Sequence, residues 1–565
     1  MFHCFRSLTS VIRATLNSVV GALLSLPRML FRHIRAKPAR QMSRLYRKAP
    51  LSSRSASTVV FWIPGGMPLM LHVEGAIAGA LRLRGINVHA VICDGPFRAC
   101  VKREITDGVP VARWQDACAH CRADNAAVLK RIGIPYSFIG DFVPESSRAA
   151  FWDLTAPVKW ETLDGLCYGD INVGKNVRSA ILRYLKGNAL SGHEAIVREY
   201  AFSALVVAAA AACAMDRIAP SRIFMSHGTY VDWGPALHTA LFRGIPVTAW
   251  MASYLPVRFY FRHVEDTVRI DFHNMSDAAW EKCEISDLSP AQNARLDKFL
   301  EDRYRKHVSF DMKRLKKYSG NIDDLRKEYA ALSDKPIWGI MLHVNWDCVS
   351  DYSPMAHASF DDWLLDTMRE ILNIPDVHWL VKVHPAEAWD NPASGALRLV
   401  ERHFPLLPPH VRVIPAEEEI SPLAFFQLVD GGVTVYGTSG LELAALGKPV
   451  ILAGEAHYGG KGFTYDGLTP DDYKQLLRKA GSLKPLSEEQ RLLARQYAYL
   501  YFIQRQIPLS VVRDPKSAWW GFQHDKRHLL LPGKDPFVDF ICERILDGED
   551  FIMDESLVAL SERLA

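Results

Sequence analysis

The sequence predicts an α/β protein made of two doubly wound domains that face a cleft, with a basic helical leader before them and a helical tail after them. Three observations carry that expectation. First, strand-like apolar runs alternate with helix-length amphipathic runs twice, once over residues 58–254 and again over 336–480. Second, in both series the strands run into glycine-bearing turns that open helices, as in sheets whose ligands sit at the carboxyl ends of the strands. Third, 565 residues exceed what one core supports, at roughly 100–200 residues per domain, while 49% hydrophobic and 23% charged residues is ordinary globular composition. Disorder, collagen and coiled coil are excluded as descriptions of the whole. A net charge of only +4 argues against a nucleic-acid partner.

The leader and linker occupy residues 1–57. Ten Arg/Lys and no Asp/Glu fall in the first 50 residues, so the rest of the chain is net acidic. Phe5, Leu8, Ile12, Leu16, Val19, Leu23, Leu26, Leu30 and Ile34 recur at steps of three or four, the apolar stripe of a helix that Pro27 kinks. Positive charge with an apolar stripe suits an anionic membrane surface, and packing on the protein's own body is the alternative. No uncharged apolar run reaches 18 residues, and no small-residue cleavage site follows the apolar stretch. The expected location is therefore cytoplasmic, peripheral on the inner membrane. Residues 36–57, with Lys37-Pro38, Lys48-Ala-Pro50 and a Ser-rich run, read as a linker.

The first domain opens with Thr58–Ile63 as a buried strand, the turn Pro64-Gly65-Gly66, a helix from about Met70 to Arg84 and a second strand over 86–93. The turn lacks G-x-G-x-x-G, so no dinucleotide site is expected. Cys93, Cys100, Cys118 and Cys121 follow with the spacing C-x6-C-x17-C-x2-C. One C-x2-C pair with two neighbours fits a tetrahedral structural zinc, and four reduced thiols is the equal alternative. Residues 189–216 read as a long Ala-rich core helix. Arg222–Met225 is a strand that runs into Ser226-His227-Gly228-Thr229-Tyr230, which makes His227 a candidate general base or phosphate contact at a strand end. The alternative is a histidine satisfied within the core.

Residues 255–335 read as a charged helical connector. In the second domain Ile337–His343 and Val377–Val383 are buried strands, the latter ending in His384-Pro385, and Lys382 precedes that pair. Val433–Tyr436 is a strand followed by Gly437-Thr438-Ser439-Gly440, which begins a helix. Small residues, free N–H groups, a helix dipole and two hydroxyls favour phosphate there, and Ser439 as a simple helix cap is the alternative. Glu442, on the first turn, is a candidate for a ribose hydroxyl. Residues 481–565 read as a helical tail.

The segments Lys382-Val-His384-Pro385 and Gly437-Thr-Ser-Gly-Leu-Glu-Leu-Ala-Ala-Leu-Gly-Lys-Pro-Val-Ile451, continuing through Ala453 to Phe463, resemble those of bacterial capsule and surface-polysaccharide glycosyltransferases. These enzymes are of the two-Rossmann, GT-B type, and the kinship extends to capsule Kdo transferases, sialyltransferases and teichoic-acid polymerases. The resemblance spans residues 58–480. It implies an acceptor-binding first domain and a nucleotide-binding second domain. His384, Thr438, Ser439 and Gly440 would hold the nucleotide of a cytidine-linked sugar. Lys382 and Lys461 are basic groups available to the departing phosphate, and a Lys382 that simply alternates outward on its strand is the alternative. Glu442 would reach the ribose, and Glu455, Tyr458 and Lys461 would lie near the donor sugar. The acceptor would be a polysaccharide or its lipid-linked primer, with other capsule-assembly proteins as further partners and no catalytic metal required. No acidic-acidic-Gly motif of the sialyltransferase kind is present in the first domain. Glycerol-phosphate transfer from a CDP donor, or a non-catalytic assembly or export role, would use the same fold.

Overall fold

The computed structural model describes residues 40–47, 57–65, 68–266, 273–284, 287–305, 334–349, 354–390, 395–418, 420–512 and 521–563. The apolar stripe over 5–34 lies outside them.

Two sheets organise the chain. The first contains β1 (Thr58–Ile63), β2 (Asn87–Ile92), β3 (Tyr136–Phe138), β6 (Arg222–Ser226), β7 (Val247–Ala252), β8 (Arg258–Val264) and β15 (Ile507–Pro508); β4 (Cys167–Tyr168) and β5 (Ile171–Asn172) pair separately. Its order is β15-β8-β7-β6-β1-β2-β3. Strands β7, β6, β1, β2 and β3 are parallel, and β8 and β15 extend the sheet antiparallel. Five of the six β1 residues are buried, because helices cover both faces of a parallel sheet and leave no solvent side for polar alternation. The second sheet is β11-β10-β9-β12-β13-β14 and wholly parallel. Its strands are β9 (Ile337–Met341), β10 (His378–Lys382), β11 (Val411–Ile414), β12 (Gly431–Thr434), β13 (Val450–Leu452) and β14 (Tyr465–Asp466). Trp338, Trp363 and Trp379 fill its core.

This is the GT-B architecture that the sequence predicts, with three differences in its outline. Residues 40–47, expected as linker, form a helix: Met42 is fully buried and the Tyr46 hydroxyl donates to the Ile132 carbonyl at 2.9 Å. Residues 258–264, expected in a helical connector, form β8, a strand of the first sheet between β7 and β15. The tail is helical but does not stay with the second domain. Helix Glu488–Tyr499 packs beside helix Thr438–Ala445, and the chain then returns through β15 to the first sheet. There helix Pro536–Asp547 packs on helix Pro68–Leu83, with Arg84 paired to Asp539.

Among the described residues one helix, Ala195–Ile218, is long and apolar enough to cross a membrane. It is buried between helices Gly174–Leu185 and Tyr230–Phe242, where its alanines allow close approach.

Candidate functional site

Strands β10, β9 and β12 are adjacent and parallel, so the segments leaving their carboxyl ends converge. Three groups meet there. His343 follows β9, His384 follows β10, and the Gly437–Gly440 turn follows β12. Gly437, with φ −61° and ψ 136°, is the cap residue of helix Thr438–Ala445, so Ser439 is not its cap. The Ser439 hydroxyl makes no hydrogen bond among the described residues and stays available to a ligand. Thr438 lies beside it, with its Oγ1 3.5 Å from the hydroxyl of Tyr254, which follows β7 of the first sheet. His384 Nδ1 accepts the Ala386 N–H at 3.1 Å, which places the ring proton on Nε2 as a donor.

His343 belongs to this strip although sequence reading had noted it only as a strand end. Its Nε2 lies 3.0 Å from Thr434 Oγ1 and 3.3 Å from the N–H groups of Val435 and Tyr436, so it holds the start of the glycine turn. Phe360 stacks on the ring at 4.9 Å. Burial pushes its pKa down to about 3, with His384 nearby adding to the effect, and the ring is neutral. The same signal that marked His384, a histidine ending a buried strand, could have marked His343.

Other residues of the predicted site act inside the fold. Glu442 is 2% exposed. Arg303 donates to one of its oxygens at 2.5 Å and the Tyr304 hydroxyl bonds the other, so it anchors helix Pro290–Arg305 and faces no ribose. Lys382 Nζ donates to the Pro415 carbonyl at 2.8 Å and the Glu418 carbonyl at 3.3 Å, and burial lowers its pKa to about 8. It holds the turn after β11 and does not reach towards phosphate. Tyr458 is fully buried and donates to the Gly437 carbonyl at 2.6 Å, which props the glycine turn from beneath. A Cβ on Gly440 would come within 2.2 Å of that hydroxyl, so Gly440 makes room for Tyr458. Glu455 and Lys461 share a separate pocket further along the sheet edge, where Lys461 pairs with Asp277 at 3.3 Å.

In the first domain Gly65 turns the chain with φ +91°, and a Cβ there would meet Asn125 at 2.0 Å. His227 ends β6 as expected, but it is only 7% exposed and packs against Trp233 and Tyr230. Its Nδ1 accepts the Thr229 N–H at 3.2 Å, and burial drives its pKa down to about 3. A ring whose free lone pair is already taken does not accept a proton from a substrate hydroxyl, so the geometry opposes the general-base role. The two sheet edges face each other at this point. The Tyr230 hydroxyl donates to Asp347 Oδ1 at 2.5 Å, Arg183 approaches the same oxygen at 3.5 Å, and the Cys348 thiol lies 3.5 Å from Thr229 Oγ1.

Cys93, Cys100, Cys118 and Cys121 do line one pocket, together with Pro64, Gly65, Trp114 and Asp232. Yet no three His, Cys, Asp or Glu side chains among the described residues are placed to hold an ion. The Cys93 sulfur accepts the Gly95 N–H at 3.2 Å, and Cys121 takes a contact from Asn125 at 3.6 Å. Burial and the nearby Asp232 push the Cys93 and Cys100 thiols well up. The structure thus does not support the zinc expectation.

Residues 296–496 match the family model of capsule polysaccharide biosynthesis proteins. The match spans His384 and the glycine turn, on which the sequence resemblance rests, and also His343. Among solved structures the chain is similar to two of KpsC from Thermosulfurimonas dismutans. One, a beta Kdo 2,4 transferase, shares 17% identity, with 55% of this chain and 87% of that chain covered and a TM-score of 0.33. The other, a beta Kdo 2,7 transferase, shares 14%, with 54% and 85% covered and a TM-score of 0.31. A UDP-GlcNAc 2-epimerase from Neisseria meningitidis shares 10%, with 78% and 95% covered and a TM-score of 0.24. No curated protein matches.

Proposed function

We propose that this chain is a glycosyltransferase of capsule or surface-polysaccharide synthesis that takes its sugar from a nucleotide-activated donor. The observation carrying the proposal is the strip across β10, β9 and β12. There a helix N-terminus, the free Ser439 hydroxyl and the Nε2 proton of His384 converge on one sheet edge. As the sugar–phosphate bond breaks, charge grows on the departing phosphate. The first backbone N–H groups of helix Thr438–Ala445, the Ser439 hydroxyl and His384 are placed to stabilise it. His343 and Tyr458 position the turn and touch no substrate. The acceptor lies against the first domain, whose Ser226–Tyr230 turn faces the strip. A cytidine-linked sugar as donor, and a polysaccharide or lipid-linked primer as acceptor, extend this reading from the sequence resemblance.

Calorimetric titration with CMP, CDP and UDP tests it. Measurable binding of one of them, weakened in His384→Ala and Ser439→Ala, is the expected result. Absence of nucleotide binding by the intact protein removes the reading and favours a non-catalytic assembly role. A glycerol-phosphate donor, which the same strip could hold, is separated by assaying CDP-glycerol beside the sugar donors.

The basic leader places the enzyme on the cytoplasmic face of the membrane in this reading. Deleting residues 1–39 should release the protein from anionic vesicles, since each basic residue near such a surface contributes about 1 kcal/mol. Residues 40–47 are kept in that deletion because they dock on the first domain. Vesicle binding that survives the deletion refutes the leader's role.

A further inference from the structure

A groove of about 820 Å³ shares no residue with the phosphate strip. Helices Asp277–Glu284 and Pro290–Arg305 and the end of Glu488–Tyr499 form one wall, and helices Pro536–Asp547 and Glu555–Glu562 the other. Its lining carries six carboxylates, Asp287, Asp539, Glu543, Glu549, Asp550 and Asp554, against two cations, Lys282 and Arg544. Arg544 is already paired with Asp547 at 2.9 Å. Asp287, Glu543 and Glu549 are exposed and make no ion pair among the described residues. Below these charges Leu288, Phe540, Ile552 and Leu557 are only partly buried and form an apolar floor. Carboxylates gathered in this way repel one another, and an occupant that is both cationic and apolar would relieve the repulsion and cover the floor.

The chain itself supplies such a segment nearby. Residues 28–37, Arg-Met-Leu-Phe-Arg-His-Ile-Arg-Ala-Lys, hold Arg28, Arg32, Arg35 and Lys37, the apolar Met29, Leu30, Phe31 and Ile34, and no carboxylate. They lead into helix 40–47, which docks at the groove's rim. A Cβ on Gly79 would lie 3.1 Å from the Tyr46 hydroxyl and 3.4 Å from Leu530, so Tyr46 and Leu530 meet on helix Pro68–Leu83. Pro536, shortly after Leu530, lines the groove. Arg82 stacks on the Tyr46 ring at 4.3 Å, and Arg84, two residues on, pairs with Asp539 in the groove's lining. At roughly 3.3–3.6 Å per residue, the stretch before residue 40 is long enough to run from the docked helix into the groove. We propose that residues 28–37 dock in this groove, with Arg28, Arg32 and Arg35 over its carboxylates and Leu30, Phe31 and Ile34 on its floor. The groove and an anionic membrane then compete for one segment, and the groove shields its apolar side chains when no membrane is present. The proposal is independent of the transferase reading, since it uses none of the strip's residues.

Photo-crosslinking of the full chain in lipid-free buffer, with benzoylphenylalanine placed at Phe31, tests the proposal. Irradiation should join position 31 to residues within 279–292 or 536–557 of the same chain. An equal mixture of isotopically light and heavy protein reports whether the joined segments belong to one copy. Crosslinks between copies would make a second copy the occupant and overturn the proposal. Crosslinks confined to other segments, to another protein, or absent altogether would overturn it as well. Asp287→Asn, Glu543→Gln and Glu549→Gln together should lower the yield roughly tenfold, as for the loss of several exposed ion pairs. These side chains are exposed, so the melting temperature should hold. Arg28→Glu, Arg32→Glu and Arg35→Glu form a second variant that alters none of the described residues and should lower the yield at least as far. Undiminished yield in both variants would refute the charge pairing on which the docking rests.

Discussion

His227 and His384 end buried strands in the two domains, and both rings are fixed in the same way. Each Nδ1 accepts the backbone N–H of the residue two positions on, Thr229 at 3.2 Å and Ala386 at 3.1 Å. The surroundings differ. His227 is sealed between Trp233 and Tyr230 where the two domains touch, and burial strips it of its charge. His384 is half-buried beside a helix N-terminus with an unoccupied serine hydroxyl. Identical local wiring thus serves the fold on one edge and, in the proposed reading, a ligand on the other, and burial separates the two.

The largest effect that tests this division lies at Glu442, which carries a binding-site pattern but sits in the interior. Glu442→Ala would leave Arg303 buried without its partner, and breaking a buried pair in this way costs about 3–5 kcal/mol. Urea unfolding should show that loss. If Glu442 instead served a ribose, stability would hold and nucleotide affinity would fall.

On the open edge the signature reverses. His384→Ala and Ser439→Ala should each weaken nucleotide binding roughly ten- to a hundredfold, the loss of a charge-assisted hydrogen bond worth about 1.5–3 kcal/mol. Their melting temperatures should stay close to that of the parent. A fall in melting temperature with affinity unchanged would place these residues with His227.

The fold was legible because its signals are local. Strand–glycine–helix alternation and continuous apolar strands marked both sheets, and the Gly437–Gly440 turn and His384 lie where strand ends must lie. What escaped was set by long-range packing. Nothing near Glu442 in the chain announces Arg303, and nothing near Tyr458 shows that it props Gly437 from below. The tail's return depends on the two-residue strand β15, too short to leave a periodic signature. The four cysteines do gather, but spacing along a chain does not determine whether sulfurs converge on a point.

A third test is acid stability. The His227 pKa falls from the ordinary 6.5 to about 3 on folding, so protonation favours the unfolded chain. The stability this group contributes is complete above pH 6.5 and is lost as pH falls below it, by about 2 kcal/mol at pH 5. His227→Phe should therefore reduce the difference in unfolding free energy between pH 7 and pH 5 by about that amount. An unchanged difference would mean that His227 is more open than its packing shows, and would return it to the list of candidate bases.

The smallest effect sits where the two edges meet. Asp347 takes hydrogen bonds from Tyr230 and lies 3.5 Å from Arg183, but its side chain is 51% exposed. Exposed pairs contribute about 0–1 kcal/mol because water screens them and the side chains lose entropy in pairing. Asp347→Ala should therefore barely change global stability. It should act on the relation between the domains, since a GT-B cleft must open to admit substrates and Asp347 bridges it. Hydrogen exchange of the Thr229–Phe242 and 342–348 segments should quicken in the variant, while that of β1 and β10 should not. Addition of the nucleotide should slow exchange at Gly437–Gly440 equally in both proteins, because the strip belongs to the second domain alone. Quickened exchange throughout both sheets would instead make Asp347 a structural residue, and the boundary between the sealed edge and the open one would have to be redrawn around it.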